Sequence, residues 1–381
     1  MMKEGIQMVD LKSQYLKLKQ EIDSAIISSI ESTKFINGPE VKEFAQSLAT
    51  YLEVNHVIPC ANGTDALQIA LMALDLKPGD EVICPAFTYV ATAEVIGLLG
   101  LVPIMADVCP ETFNIDVAGL SKLMTKKTKA IVPVHLYGQS CDMEPLLSFA
   151  KNHNLFVVED NAQAIGAEYT FSDGSVKKTG TMGDIGTTSF FPSKNLGCYG
   201  DGGALMTNNE VLAGKIKMIA NHGQEKKYYH KVLGCNSRLD SIQAAILNIK
   251  LRHLDNYSSN RNRMADFYFN QLLLIEGLIL PRKSKNSTHV FHQFTIKVTN
   301  GRRDALKMYL QSYGVPSMIY YPLPLYKQEA FSKYVEQDFV LTNTENLCSE
   351  VLSLPIHTEM DKEHMVYICS KIKSFFTAKN N

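Results

Sequence analysis

Between residues 56 and 207, short apolar runs alternate with longer amphipathic segments, and that alternation admits few architectures. Candidate strands lie at 56–60, 81–84, 102–107, 130–135, 156–159, 187–190 and 203–207. Helical patterns fit between them at 64–74, 92–99, 117–124, 142–153 and 209–220. Strands that are apolar throughout have to be covered on both faces. The pattern therefore predicts an α/β fold, with a mainly parallel seven-stranded sheet sandwiched by helices.

The flanks read differently. Leu11, Tyr15, Leu18, Ile22, Ile26 and Ile30 recur about every four residues and predict a helix over 9–30. Asn37-Gly38-Pro39 interrupts it, and a helical pattern resumes over 41–52. After about residue 241 the alternation stops. One long helix or two abutting ones fit 238–269, followed by a strand at 291–298 and a helix at 301–313. The segment 315–325 holds three prolines and the pair Tyr320-Tyr321, which makes it a shaped loop. We expect a large domain over 1–245 and a smaller C-terminal α+β domain over 246–381, with the N-terminal helix (within 1–33) packing on the small one. No internal repeat is visible.

Composition matters mainly for what it excludes. Lys and Arg total 38 against 39 Asp and Glu, for a formal net charge of −1. Nucleic-acid and acidic-membrane binders carry a basic excess, so the balance argues against both. The first fifteen residues carry Lys3, Glu4, Asp10 and Lys12 and do not resemble a secretion signal. The most apolar stretch, 91–105, contains Glu94 and is too short to span a bilayer. Eight cysteines are spread singly, without a Cys-x-x-Cys, as expected of reduced thiols in a cytoplasmic protein. His289 and His292 form a His-x-x-His with no further ligands nearby, better explained by a half-buried strand than by a metal.

Four segments carry chemistry. In the first, an apolar run ends at Cys60 and Asn62-Gly63-Thr64 opens a helix. Free amides and a hydroxyl at a helix start suit an anion, although Thr64 also serves as an ordinary cap. In the second, Val157-Val158-Glu159-Asp160-Asn161-Ala162-Gln163, a strand delivers an acid at its C-terminal end, where open α/β sheets place ligands. Asp160 suits a protonated pyridine nitrogen, with Gln163 in reach of the same ring. A capping or metal-binding aspartate remains the alternative.

In the third, Ser189-Phe-Phe-Pro-Ser-Lys194 runs into Asn195-Leu-Gly197 and Gly200-Asp-Gly-Gly203. A lysine just past an apolar strand, in an uncharged glycine-flanked loop, loses solvation and gains free amine, as Schiff-base chemistry requires. Ser189 is placed to meet the same anion as Thr64. In the fourth, Asn236-Ser-Arg238-Leu-Asp240 precedes a helix rich in good formers. Ser237 fits a capping box, while Asn236 and Arg238 exceed what capping needs and suit a phosphate or carboxylate.

With these motifs the sequence closely resembles the DegT/DnrJ/StrS-type family of nucleotide-sugar aminotransferases, over about residues 35–326. Pro85-Ala-Phe-Thr-Tyr89-Val-Ala-Thr92 and His135-Leu-Tyr-Gly138 carry the resemblance further. It implies the fold-type I architecture of pyridoxal 5′-phosphate (PLP) enzymes. Lys194 is then the Schiff-base lysine and proton shuttle, and Asp160 the partner of the pyridine nitrogen. Gln163 sits near the ring hydroxyl and Tyr89 stacks on the ring. Gly63, Thr64 and Ser189 bind the phosphate, and Asn236 reaches it from the other subunit of a homodimer. Arg238, across the same interface, and Tyr320 face the sugar nucleotide. Asn161 departs from the usual small residue there, but it flanks the acid without replacing it.

The resemblance further implies transamination in two half-reactions. L-glutamate gives its amino group to the cofactor, leaving the pyridoxamine form (PMP), which then aminates a nucleotide-linked keto sugar. The dehydratase branch of the family has histidine in place of the lysine, so Lys194 favours the aminotransferases. The run 190–204 looks most like enzymes that aminate C-3 of a UDP-2-acetamido-3-keto-glucuronate, with Arg238 facing the uronate carboxylate. Such an enzyme serves surface polysaccharides such as lipopolysaccharide O-antigen. Another sugar nucleotide, another PLP reaction such as dehydration, and a PLP-binding regulator are the rival readings. The last finds no helix-turn-helix or basic stretch to support it.

Overall fold

The computed structural model describes residues 5–336 and 338–377. Residues 1–4, which include Lys3 and Glu4 of the N-terminal segment considered above, lie outside it. The described chain is built on a seven-stranded sheet. In chain order its strands are β1 (His56–Cys60), β2 (Glu81–Pro85), β3 (Val102–Ala106), β4 (Thr128–Ile131), β5 (Phe156–Asp160), β6 (Ile185–Ser189) and β7 (Gly203–Thr207). Their order across the sheet is β1-β7-β6-β5-β4-β2-β3. The pairs β2–β3, β2–β4, β4–β5 and β5–β6 are parallel, while β7 runs antiparallel to both neighbours. All seven expected strands are present. The fourth stops at Ile131, and Val134 then touches Asp160 through an isolated parallel bridge.

The helices form where local chemistry starts and stops them. α1 (Leu11–Ser32) begins at Asp10, whose side chain accepts from the Ser13 amide at 2.9 Å, and ends at Thr33 in the left-handed conformation. α2 (Pro39–Leu52) has proline in its first turn, where no amide partner is lost. α3 (Gly63–Ala73), α4 (Ala91–Leu98) and α5 (Met143–Asn152) connect successive strands, and α6 (Glu210–Ala220) follows β7. The helix expected over 117–124 is instead a 3-10 segment, Val117–Leu123, with Leu120 its one buried side chain. That short stretch buries too little apolar surface to hold a full helix.

The two sheet faces carry separate cores. Leu67, Ile69, Ala93, Ile96, Ile216 and Ile219 bring α3, α4 and α6 together on one. Leu120, Met143, Leu146 and Tyr169 cover part of the other. Phe44, Leu48 and Leu52 of α2 meet Phe190, Leu247 and Leu251 in a third cluster.

Beyond the sheet, α7 (Ser241–Leu251) and α8 (Leu254–Leu272) abut end to end, separated by Arg252 and His253. A three-stranded sheet follows, β8 (Leu278–Ile279), β9 (Phe294–Val298) and β10 (Val351–Leu354), all antiparallel. It packs with α8, α9 (Arg303–Ser312) and α11 (Lys362–Thr377) around Met264, Tyr268, Leu306 and Ile368. α10 (Thr342–Glu350) leads into β10. α1 lies on α7, with Leu18 and Ile22 against Ile246 and Ile249. It also reaches residues 357–360, where Gln14 donates to Thr358 at 3.3 Å and Lys17 pairs with Glu359.

Candidate active site

The C-terminal ends of β5 and β6 and the start of α3 open onto a cavity of about 630 Å³. Its wall brings together Gly63, Thr64, Tyr89, Asp160, Gln163, Ser189, Lys194 and Tyr320, which lie far apart in sequence. Asn236 and Arg238 do not line it.

One end of the cavity is an amide cup. The N-cap of α3 is Asn62, whose side chain accepts from the Asp65 amide at 2.8 Å, so Thr64 is freed from the capping role it could have filled. The amides of Gly63 and Thr64, first in the helix, have no intrahelical partner, and the helix dipole favours negative charge there. Gly63 is required by space: a Cβ there would stand 2.7 Å from the Ser189 Cβ.

Asp160 ends β5 and is 5% exposed. One carboxylate oxygen accepts from the Thr92 hydroxyl at 2.8 Å and the other from the Ala162 amide at 3.1 Å. Thr92 belonged to a recognised motif, but nothing local to it announced this bond. Gln163 accepts from the Tyr137 amide at 2.8 Å and donates to the Tyr321 hydroxyl at 3.1 Å. The Tyr137 hydroxyl donates to the Tyr320 carbonyl. Tyr89 is 58% exposed at the mouth, its ring 6.4 Å from that of Tyr321. Tyr137 and Tyr321, drawn from distant segments, were quoted within the His135–Gly138 motif and the pair Tyr320-Tyr321 but given no role in the site.

Lys194 lies in the turn after β6, its amide donating to the Phe191 carbonyl at 2.8 Å. Burial of the amine pushes its pKa down to about 8, against a smaller upward pull from Asp160. A carbonyl-reactive amine at neutral pH is the chemical result.

Behind Asp160 stands a fully buried polar group that the sequence reading passed over. The Glu159 carboxylate accepts from the amides of Gly180 at 2.8 Å and of Met182 and Gly183 at 2.6 Å each. It also accepts from His135 Nε2 at 2.8 Å. The Cys141 amide donates to His135 Nδ1 at 3.0 Å, which places the ring proton on Nε2, facing Glu159. The His135 amide donates to the Asp160 carbonyl at 3.0 Å. Glu159 thus ties the loop 180–183 and the end of β4 to the strand that presents Asp160.

Two alternatives for the remaining motifs are corrected. Ser237 is no capping-box residue: it is buried, its hydroxyl accepts from the Ala61 amide at 3.0 Å, and the N-cap position of α7 is Asp240, whose side chain makes no cap bond. His289 and His292 precede β9 rather than lie in it, and both are buried, at 7% and 6% exposure. Arg238 donates to Asn236 and borders a separate groove with Lys42 and Lys217. Among the described residues no three His, Cys, Asp or Glu side chains are grouped to hold a metal ion.

The parts fit PLP on structural grounds. The amide cup suits a phosphate, Asp160, with both oxygens already oriented, would suit a protonated ring nitrogen, and the Lys194 amine opens into the same space.

Comparisons with known proteins agree. The model of the DegT/DnrJ/EryC1/StrS aminotransferase family matches residues 16–373. A "pleiotropic regulatory protein" of Geobacillus stearothermophilus is 45% identical over 374 residues, 98% of this chain and 99% of that one. The UDP-2-acetamido-2-deoxy-3-oxo-D-glucuronate aminotransferase of Pseudomonas aeruginosa is 41% identical over 367 residues, 96% of this chain and 99% of that one. Among solved structures, DesV of S. venezuelae, in complex with a ketimine intermediate, superposes with a TM-score of 0.94 at 35% identity. The match covers 99% of this chain and all of that one.

Proposed function

This chain belongs to the DegT/DnrJ/EryC1/StrS aminotransferase family, and from that premise we propose that it moves an amino group from L-glutamate to a keto sugar carried on a nucleotide. It is a PLP-dependent aminotransferase of fold type I. The observation that carries the reading is the Lys194 amine, desolvated and opening onto one cavity with Asp160 and the amide cup.

When bound, the cofactor supplies a carbonyl that exchanges amines and a ring that takes up the electrons of a broken C–H bond. The chain does the rest. Gly63, Thr64 and Ser189 hold the phosphate. Asp160, oriented by Thr92 and Ala162, would hold the ring nitrogen, with Gln163 near the ring hydroxyl and Tyr89 against the ring face. Lys194 anchors the cofactor, and its freed amine takes a proton from the donor α-carbon and later returns one to the sugar carbon. Tyr320 and Tyr89 line the side where the sugar enters.

For the substrate, the favoured choice is C-3 amination of a UDP-2-acetamido-3-keto-glucuronate. The run 190–204 and the 41% identical relative with that activity support it. Other relatives are named for dTDP- and GDP-linked sugars, and one for 3-oxo-glucose-6-phosphate, which carries no nucleotide. The product would serve surface polysaccharide or glycoconjugate synthesis, made in the cytoplasm by a homodimer in which Asn236 and Arg238 complete the partner's site. In this reading 1–245 carries the cofactor and 246–381 helps to close the site.

The test is an amination panel of UDP-, dTDP- and GDP-keto sugars and 3-oxo-glucose-6-phosphate with 15N-glutamate. Label should enter the UDP-keto-uronate product fastest; label entering only the sugar phosphate would overturn the nucleotide assignment. The name of the Geobacillus relative favours a second reading, a regulator without turnover. A wild type that binds PLP yet moves label to none of these acceptors would support it.

A further inference from the structure

Gln163 is gripped at both ends of its side-chain amide. Its Oε1 accepts from the Tyr137 amide at 2.8 Å, and its Nε2 donates to the Tyr321 hydroxyl at 3.1 Å. The reversed amide is excluded, because it would set Nε2 against the Tyr137 N–H, donor against donor. The second N–H of Nε2 has no acceptor among the described residues, and Gln163 lines the active-site cavity together with Asp160.

The grip closes on itself. The Tyr137 hydroxyl donates to the Tyr320 carbonyl, so the side chain of Gln163 is held inside a loop of hydrogen bonds through residues 137, 163, 321 and 320. Both sides of that loop are anchored elsewhere. Next to Tyr137, the Leu136 amide donates to the Asn114 side chain at 3.0 Å. The Tyr321 ring meets Phe87 edge to face at 5.9 Å, and the Leu325 amide donates to the Ala86 carbonyl at 3.0 Å. Ahead of the tyrosine pair, Met318 and Ser353 exchange amide–carbonyl bonds at 3.1 and 2.7 Å.

The last torsion of a glutamine is soft and roughly two-fold, so one contact at its oxygen does not fix where its nitrogen points. Tyr321 supplies the second contact. Burial, above all, raises its pKa beyond the usual tyrosine value, so it stays a neutral phenol whose oxygen can accept.

We propose that Tyr321 is a positioning residue for Gln163: its hydroxyl fixes the amide so that the spare N–H, and not the carbonyl oxygen, faces the ring hydroxyl of the bound cofactor. The proposal rests on the reading that places Gln163 beside that hydroxyl. An N–H there stabilises the ring oxygen as an anion, where a carbonyl would repel it. The same anion helps to hold the proton on the nitrogen that joins Lys194 to the cofactor. A donor that shares the anion therefore lowers the pH at which that nitrogen loses its proton.

The test is Tyr321→Phe, which removes the hydroxyl and keeps the ring against Phe87. In the PLP-loaded protein the pH midpoint of the cofactor's visible absorbance should rise by about 0.5 to 1 unit, about 3- to 10-fold in proton affinity. Gln163→Ala should raise it at least as far. Adding Tyr321→Phe to Gln163→Ala should move it no further, since a residue that acts through another then has nothing to act on. A second readout needs no cofactor: in 15N-glutamine-labelled protein, the Gln163 side-chain amide should shift and exchange faster with solvent on Tyr321→Phe.

An unchanged midpoint in Tyr321→Phe overturns the proposal when Gln163→Ala moves it, and a loss of stability without the shift does the same. So do shifts that add in the double variant, or a Gln163 resonance indifferent to Tyr321→Phe. Gln163→Ala without any shift would instead sink the placing of Gln163 beside the ring hydroxyl. The resonance measurement then still decides whether Tyr321 orients Gln163.

Discussion

The lowered pKa of Lys194 makes the sharpest quantitative prediction. A lysine titrating at 10.5 has about one amine in a thousand neutral at pH 7.5, whereas one at about 8 has about a quarter, roughly a 200-fold gain. Cofactor-free protein mixed with PLP should therefore gain its visible absorbance at a rate that climbs with pH and levels off above about pH 8. Lys194→Ala should show no such band. Asp160→Asn removes the negative charge that favours the ammonium, so its rate profile should move to lower pH. Stability gives an independent measure. Between pH 8 and 10.5 the unfolded chain still binds the lysine proton and the folded chain does not, so folding strengthens as pH rises through that window. Below it the buried ammonium costs up to about 3 kcal/mol, from about 1.4 kcal/mol per pKa unit. Cofactor-free Lys194→Met should accordingly be more stable than wild type at pH 7 in urea unfolding, with the gap closing by about pH 10.5. A rate midpoint at pH 10 or above, or a stability gap that ignores pH, would refute the argument.

Three further outcomes can be checked. Thr92→Val keeps the shape of a buried side chain but removes one donor to Asp160. At about 1.5–3 kcal/mol for a hydrogen bond to a charged group, it should weaken PLP binding by about tenfold or more in equilibrium titration. Glu159→Gln puts an amide N–H against groups that already donate, and should lower the melting temperature by about 5 °C or more. Finally, Lys194→Ala and Arg238→Ala should each be inactive, while their refolded mixture recovers up to about a quarter of wild-type activity, because a mixed dimer rebuilds one complete site. Failure of the mixture to recover activity would place Arg238 in its own chain's site.

Much of the sheet was legible because its strands are apolar and short and alternate with helices, as burial on both faces demands. What escaped lacked that signal. Strands Glu168–Thr170 and Val176–Lys178 pair as a hairpin whose second strand is mostly exposed and carries Lys177 and Lys178, so no apolar run marked it. Residues 117–124 had helical spacing without enough buried surface to enforce it. In the site, the residues at strand ends and helix starts, Asp160, Lys194 and Gly63, could be read from their local setting. Thr92, Tyr137, Tyr321 and His292 could not, since their meaning arises from partners up to 183 residues away. Glu159 was quoted beside Asp160 but credited with nothing, because alternation sends its side chain to the opposite face of β5, into the interior.

The contact from Gln163 to the Tyr321 hydroxyl has a consequence for how the protein comes to be made. The amide cup, the acid and the lysine are all encoded before residue 204, yet the wall formed by His292, Tyr320 and Tyr321 belongs to the last quarter of the chain. A nascent chain emerging from the ribosome would carry Lys194 well before that wall, and the burial that lowers its pKa, exist. Cofactor caught then would have no lid against water, and closing so long a loop is slow. Retention of the vitamin-derived group should therefore be firmest in a chain completed past Tyr321.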